Sequence, residues 1–589
     1  MANGFNLLRV KSAVKSHSQM SYNPSVIASM DFGQIVPLMA IELTTGDQFD
    51  IKGRYFSRLA PLVRPTYGKF TFRTVGAFVP FYQIADDAEA FMAGNTVWEG
   101  NSVHQRCFLV KDFLSAIASN VNPFMIDTPA GGQDDLVFTS SSGTVTHRQF
   151  TALGKYIYKV LCGLGYTLPQ NADLQSTSTW VSSSGFGNYR LNAMPLLCFM
   201  KLYNDYMSQS QRFNSSSLTS LLHDIRHSIS VTNKYDSTTG LILPGGIVDL
   251  LSSIKLCYEN DYFTSAWQNP NTPLNNLENQ AVVQVPENGG MDVRQTRLNT
   301  YTELDNNFQV GTLNQRALDF LKAFDDWVRR NNYSGSRVVQ KIYSRFGIKT
   351  DDFRSNYAHI ISTDISPISV GDVTSTASTS QASLADYAGK GILSTEKGFS
   401  YRSSDYGILF ILGYFTVNPM NAYGFDRMCL RNNSLDFYNP EFDGLGADAI
   451  PYAELFVNPL SPTEVTPTSD DMVYGFTERY NSYRTIRDKI IGEFRQMRPN
   501  APENCWHTGR LLSDVRGNGQ MVAQSPSMIN MAQYNSEYNR IFSVVSGIDH
   551  FYLTCEFEIH AVRPMLSLNQ TPRLGEGDTV LSRNGNEIN

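Results

Sequence analysis

Apolar and polar residues alternate towards both ends of the chain and fall into helical spacing in its middle. In residues 69–80, Phe70 and Phe72 share one side and Lys69, Thr71 and Arg73 the other, the period of two that marks a half-buried strand. Residues 34–43 read as an earlier strand, closed by the turn residues Thr44, Thr45, Gly46 and Asp47. Near the other end, Phe551, Leu553, Cys555, Phe557, Ile559 and Ala561 alternate with Thr554, Glu556, Glu558 and His560. Residues 406–417 form an unbroken apolar run, which predicts a strand buried on both faces.

The middle changes period. Residues 86–93 open with Asp86 and Asp87, acids placed where a helix dipole favours them. Residues 147–163 carry Phe150, Leu153, Tyr156, Ile157, Val160 and Leu161 at helical spacing. Residues 195–207 begin with Pro195, which suits a first helical turn. Residues 317–331 put Leu318, Leu321, Phe324, Trp327 and Val328 on one stripe. Segments 170–192 and 366–385 are rich in Ser, Thr, Asn and Gly, and 258–300 is polar throughout, so all three predict loops or surface excursions. Residues 1–27 read as irregular, and no internal repeat is visible. Strands bracketing a helix-bearing middle predict a mainly β chain, most simply an antiparallel sandwich such as a jelly roll with long insertions. Connections of that length are normally functional.

Composition sharpens this picture. The chain of 589 residues is long enough for a large core. Only 17% of it is charged, against roughly 25% in an ordinary soluble domain. Its 30 Tyr and 35 Phe favour strands and are enriched at interfaces. A net charge of −7 weighs against a surface that grips nucleic acid everywhere. It leaves room for one basic face. Arg9, Lys11 and Lys15 all precede the first carboxylate, Asp31, so an N-terminal arm either lies against phosphate or is a plain solvated terminus. The seven cysteines are widely spaced with no CxxC pair, which predicts reduced and mostly buried thiols. Neither a signal peptide nor a membrane span is expected, because there is no apolar N-terminal core and no run of eighteen apolar residues.

Catalytic signatures are missing from the text. There is no GxxxxGK[ST] loop, no GxGxxG turn and no GxSxG elbow. His223 and His227 stand at i and i+4, a spacing that can hold zinc, yet no third ligand accompanies them and a polar helix face is the simpler reading. Asp134 with Asp135, and Asp325 with Asp326, are adjacent carboxylates whose side chains diverge on a helix. Asp549 and His550 make an acid/base pair on paper, but their place at the start of a strand predicts a surface location. No catalytic, cofactor or metal site is expected.

Two motifs carry the most information. Residues 426–442 run DRMCLRNNSLDFYNPEF, and residues 474–484 run YGFTERYNSYR. Together they resemble the C-terminal half of the major capsid protein of microviruses, the small icosahedral single-stranded DNA phages, especially the gokushovirus-like and gut-associated branches. Further pieces are similar in the same order. They include residues 69–82 ending Phe78-Val79-Pro80-Phe81, Asn192-Ala193-Met194-Pro195 with Tyr203-Asn204-Asp205-Tyr206, residues 317–346, Asp364-Ile365-Ser366-Pro367-Ile368 and Arg563-Pro564-Met565. The Ser/Thr-rich segments and much of 208–300 depart from the family pattern.

The resemblance implies a single eight-stranded antiparallel jelly roll with large helix-containing insertions, closing as a homo-oligomer into a T=1 icosahedral shell around circular single-stranded DNA. Residues 1–27 would be an internal arm and 28–589 one capsid domain. Its core strands would lie near 30–82 and 400–565, its insertions across about 84–400, and a surface protrusion within 208–300. Arg427, Arg431, Asp436, Tyr438, Glu441, Glu478 and Arg479 become candidates for contacts within and between subunits, since arginine pairs bidentately and stacks on aromatic rings. Arg9, Lys11, Lys15, Arg484, Arg487 and Lys489 become candidates for facing the DNA. The implied partners are other copies of the chain, the genome, scaffolding and pilot proteins, and a host receptor such as a surface glycan. The implied location is the virion, assembled in the host cytoplasm. Two other readings stay open. A carbohydrate-binding or carbohydrate-active jelly roll would need two carboxylates facing across a cleft, and none is nominated. A spike or fibre protein would show repeats or a stalk.

Overall fold

A computed structural model describes residues 17–98, 101–118, 122–128, 136–139, 145–166, 185–207, 217–254, 256, 261–266, 343–344, 346–348, 357–374, 387–418, 420–421, 424–443, 447–455, 473–495, 502–509, 513–515, 521–523, 536–544, 547–565, 580–581 and 587–588. The helix expected at 317–331, the arm cations Arg9, Lys11 and Lys15, both Asp-Asp pairs and most of 258–300 lie outside these residues.

Two antiparallel sheets share one core. The first contains β1 (Ser18–Tyr22), β2 (Ser25–Met30), β4 (Gln48–Leu59), β7 (Ser369–Thr374), β8 (Tyr387–Arg402) and β12 (Phe551–Arg563). Both β1 and β2 pair with β12, and the order continues β12-β4-β8-β7. The second contains β3 (Val36–Leu43), β5 (Phe70–Pro80), β6 (His359–Pro367) and β9 (Gly407–Val417), in the order β6-β5-β9-β3. Rings from the two sheets meet in the core. Phe415 stacks on Phe551 with centroids 4.2 Å apart, Tyr55 reaches Phe72 at 5.5 Å and Phe78 reaches Tyr401 at 5.1 Å.

The outer faces of the sheets differ. Along β4 and β12 burial alternates strictly for most of their length, so one face packs inward and the other is bare. In β9 every residue but Tyr414 is buried, because helices from the insertion after β5 cover that sheet from outside. These are α1 (Ala88–Met92), α2 (Val110–Ala118), α3 (Ala152–Gly163), α4 (Met194–Tyr206), α5 (Ser217–Arg226) and α6 (Pro244–Ser252). Tyr156 of α3 exchanges hydrogen bonds with the backbone of Ile35, donating to its carbonyl at 3.2 Å and accepting from its N–H at 3.0 Å. From α4, Phe199 lies edge-on to Phe410 of β9 at 6.4 Å. Apolar runs are expected where a sheet is buried on both sides, and alternation where it is not.

Several expectations are corrected. Residues 147–150 belong to a strand, Val145–Phe150, and the helix begins at Ala152. Thr151 caps it, its hydroxyl accepting from the Gly154 N–H at 3.0 Å, so the apolar Phe150 that fitted the helical spacing stands outside the helix. The loop expected over 366–385 contains β7, and the irregular text over 1–27 contains β1 and the first half of β2. The sheets also draw in His359–Pro367, Ser369–Thr374 and Tyr387–Arg402, beyond the core strands expected near 30–82 and 400–565. These strands sit at or near sheet edges, where few inward positions need large apolar residues. His550 is fully buried, not superficial. Its Nδ1 bonds Asp31, its Nε2 donates to the Val544 carbonyl at 2.7 Å, and its ring stacks on Phe542. Burial alone would lower its pKa, but these acceptors, with Asp549 nearby, reverse that and raise it above the ordinary histidine value. Two acceptors on two ring nitrogens call for the doubly protonated imidazolium. The partner it does not use, Asp549, takes a hydrogen bond from Ser29 and pairs with Lys159 at 2.5 Å.

Candidate functional site

The two informative motifs fold against each other. A hairpin of β10 (Ala447–Pro451) and β11 (Val473–Glu478) carries the second motif, and the first wraps around it as short helical turns at Arg427–Leu430, Ser434–Asp436 and Pro440–Phe442. A small separate core of Phe263, Ala266, Ile450, Leu455 and Tyr474 sits beneath. The Tyr474 hydroxyl donates to the Phe263 carbonyl at 3.1 Å. Gly424 lies so close to the Glu454 carbonyl that a β-carbon would collide with backbone.

Arginines fix this module from within. Arg427 donates to the Ala449 carbonyl at 2.9 Å and to Glu454 at 2.8 Å. The Glu454 side chain is only 1% exposed. Burial pushes its carboxyl above the usual range, opposed by Arg427, Arg487 and a hydrogen bond with Tyr262. Arg431 stacks over Tyr483 at 3.9 Å and donates to the Ser482 hydroxyl. Arg479 lies over Phe442 at 5.0 Å and Tyr480 at 5.3 Å. Such cation–π contacts are worth about 0.5–2 kcal/mol, rising as the site is desolvated.

The tyrosines act as braces. Tyr480 takes a left-handed backbone, φ 60°, which costs an ordinary residue roughly 1–2 kcal/mol. Its N–H donates to Asp448 at 2.8 Å, and its hydroxyl accepts from the Asn439 N–H at 3.3 Å. Tyr483 accepts likewise from the Tyr438 N–H at 3.2 Å. The rings of Tyr438, Tyr480 and Tyr483 pack edge-on to one another. Asp436 accepts from the backbone N–H groups of Asn433 and Asn432, which hold its carboxyl below the usual range.

All the candidate contact residues are therefore in one module: Arg427, Arg431, Asp436, Tyr438, Glu478 and Arg479 make contacts inside it, and Glu441 lies exposed on its surface. Of the candidate DNA-facing cations, Arg484 reaches Asp443 and Glu478 at 3.2 and 3.3 Å, and Lys489 reaches Asp426 at 3.1 Å. Arg487 turns inward, donating to the carbonyls of Phe425 and Asn421 and lying over Phe263. Glu454, Asn421, Tyr262 and Phe263 escaped the sequence reading, because nothing local marks a residue whose partners are distant in the chain.

The module also leaves apolar surface unpaired. Phe425, Met428, Phe437, Tyr438, Tyr483 and Ile491 are exposed, and Ile486 is 98% exposed. Large apolar side chains left exposed together in one module suit an interaction surface. At the other candidate, His227 pairs with Asp86 at 2.5 Å and His223 contacts Asp224 at 3.4 Å. No group of three or more metal-ligating side chains is gathered among the described residues.

Comparison with known proteins supplies the remaining evidence. A family model described as capsid protein (F protein) matches residues 272–573. The chain is 22% identical to capsid protein VP1 of Chlamydia phage 1, over 96% of each chain. It is 27% identical to capsid protein VP1 of Bdellovibrio phage phiMH2K over 181 residues, 29% of this chain and 32% of that one.

Proposed function

Because the chain belongs to the capsid protein (F protein) family and is a major capsid protein of the microvirus type, we propose that its copies close into a T=1 icosahedral shell around a circular single-stranded DNA genome. It is a structural protein of the virion, not an enzyme, and it assembles with itself. The observation that carries the shell reading is the exposed apolar surface of the arginine–tyrosine module, which is braced by contacts within one subunit yet leaves large apolar side chains exposed.

The subunit reads as an eight-stranded jelly roll. With β1 and β2 counted as one position beside β12, and β7 as an extra strand at the edge beyond β8, the orders β2-β12-β4-β8 and β3-β9-β5-β6 fit the two four-stranded sheets of that fold. Its helix-bearing insertion falls between β5 and β6. A protrusion within 208–300 of that insertion would meet the host receptor, for which a surface glycan fits the polar composition. Arg427, Arg431, Asp436, Tyr438, Glu441, Glu478 and Arg479 would hold the module in the shape neighbours bind. The arm cations Arg9, Lys11 and Lys15, with the surface cations Arg484 and Lys489, would face the genome, where phosphate contacts and base stacking hold single strands. Arg487 would support them from inside the module. Scaffolding and pilot proteins and assembly in the host cytoplasm complete the reading. Among the described residues, no helix is long and apolar enough to cross a membrane.

Negative-stain electron microscopy of the expressed protein, alone and with the other proteins of its phage, tests this. Uniform closed particles containing nuclease-protected DNA are expected. Monomers or trimers under every condition would overturn the shell, and a glycan array would then test the carbohydrate-binding alternative.

A further inference from the structure

The bare face of the first sheet is divided. At one end Lys52 stands opposite Glu558, and Arg54 between Glu556 and Glu396. At the other end the register sets Thr554 between Phe56 and Ile27, and Arg58 between Tyr552 and Ile392. Ile27 is 85% exposed, and Phe56, Tyr552 and Ile392 are exposed too. Ile27, Phe56, Arg58 and Tyr552 line a groove of about 460 Å³. The Arg58 guanidinium lies over the Phe56 ring at 5.3 Å and has no ion-pair partner among the described residues.

The arginine–tyrosine module presents the complement. In the segment after Arg484, Ile486 and Asp488 are exposed, as is Lys489, while Arg487 and Ile490 turn in. Among the described residues nothing covers Ile486, and Asp488 has no ion pair. An apolar knob followed two residues later by an exposed carboxylate matches an apolar groove carrying an unpaired guanidinium.

We infer that Ile486 of one copy seats in the groove of a neighbouring copy, between Ile27, Phe56 and Tyr552, with Asp488 pairing Arg58. This rests on the shell reading and specifies one of its contacts. Knob and groove are different surfaces, so the contact is heterologous and passes from copy to copy until a rotation closes it.

The test uses virions recovered from cells carrying the complete phage genome with variant coat genes. Ile486→Cys combined with Ile27→Cys should give, on oxidation of intact particles, a ladder of covalent coat oligomers on a non-reducing gel. Either single variant should give none, which controls for the exposed native thiols Cys162 and Cys429. Arg58→Asp and Asp488→Arg should each lower particle yield, and the two together should restore it. Particles that form in normal yield with either charge variant and give no ladder would overturn the contact while leaving the shell reading intact. Absence of the ladder with an ultraviolet cross-link from Tyr552 to DNA would assign the groove to the genome and overturn the contact as well. Failure of the unaltered coat gene to yield particles would instead count against the shell.

Discussion

In β9 all residues but one are buried, whereas in β4 every second residue meets solvent. The two strands lie in facing sheets of one core, and the difference between them is what covers their outer sides. The four-stranded sheet carries the helices of the insertion, and along β5 and β9 its outer side chains are core residues. The first sheet has no such cover among the described residues. Its outer side chains answer to cross-strand neighbours, to solvent or to another molecule. A coat subunit needs both conditions, one sheet that makes it a stable body and one that remains available.

The largest test of this contrast is Phe410→Ala. Phe410 is fully buried beneath Phe199 of the covering α4, and its truncation should cost about 3–5 kcal/mol, read as a lower urea midpoint of the isolated subunit. Arg427→Ala comes next. It leaves Glu454 buried without its main cation and should cost about 3 kcal/mol and impair assembly. A normal yield of intact particles would remove Arg427 from any role in the shell. Thr151→Ala takes away the cap of α3 and should cost about 1 kcal/mol, measured by thermal melting, with the covered sheet loosening first in hydrogen exchange.

The seam between the sheets responds to pH. Asp31 follows β2 of the first sheet and precedes β3 of the second, and His550 holds it there. The imidazole's folded pKa is raised. Its stabilisation is therefore complete below the unfolded histidine value and is lost as pH rises through the folded one. Unfolding free energy followed across neutral pH should fall on that side, and His550→Gln should remove the dependence. The smallest effect belongs to the bare face. Lys52→Ala should change subunit stability by less than about 0.5 kcal/mol. A larger loss in the lone subunit would mean that this face is not bare.

Side-chain size, more than cover, decided what could be read from the sequence. β9 stood out as an apolar run and β12 by its alternation. β4 and β8, in the bare sheet, did not, although β4 alternates as strictly in the fold. At inward positions β4 has Gly53, where the Tyr55 ring folds back, and Ser57. In β8, Gly391 makes way for Leu59. Small residues chosen for close packing erase the hydrophobic signal they serve. The candidate site was legible in the same partial way. Its two motifs name the arginines and tyrosines, while Glu454 and Phe263 acquire meaning only when distant segments meet.

The pairing of Ser18 with Arg563 and of Met30 with Phe551 bears on how the subunit is made. β12 separates β2 from β4, so β2 has no partner strand, and β4 has only β8, until more than five hundred residues have been translated. At about 5–20 residues per second, that is a wait of roughly half a minute to two minutes. For that time the growing chain has an unfinished first sheet and no groove beside Tyr552. A ribosome-bound or prematurely ended chain thus cannot offer that surface, and recruitment through it is restricted to copies whose synthesis has passed the last strand.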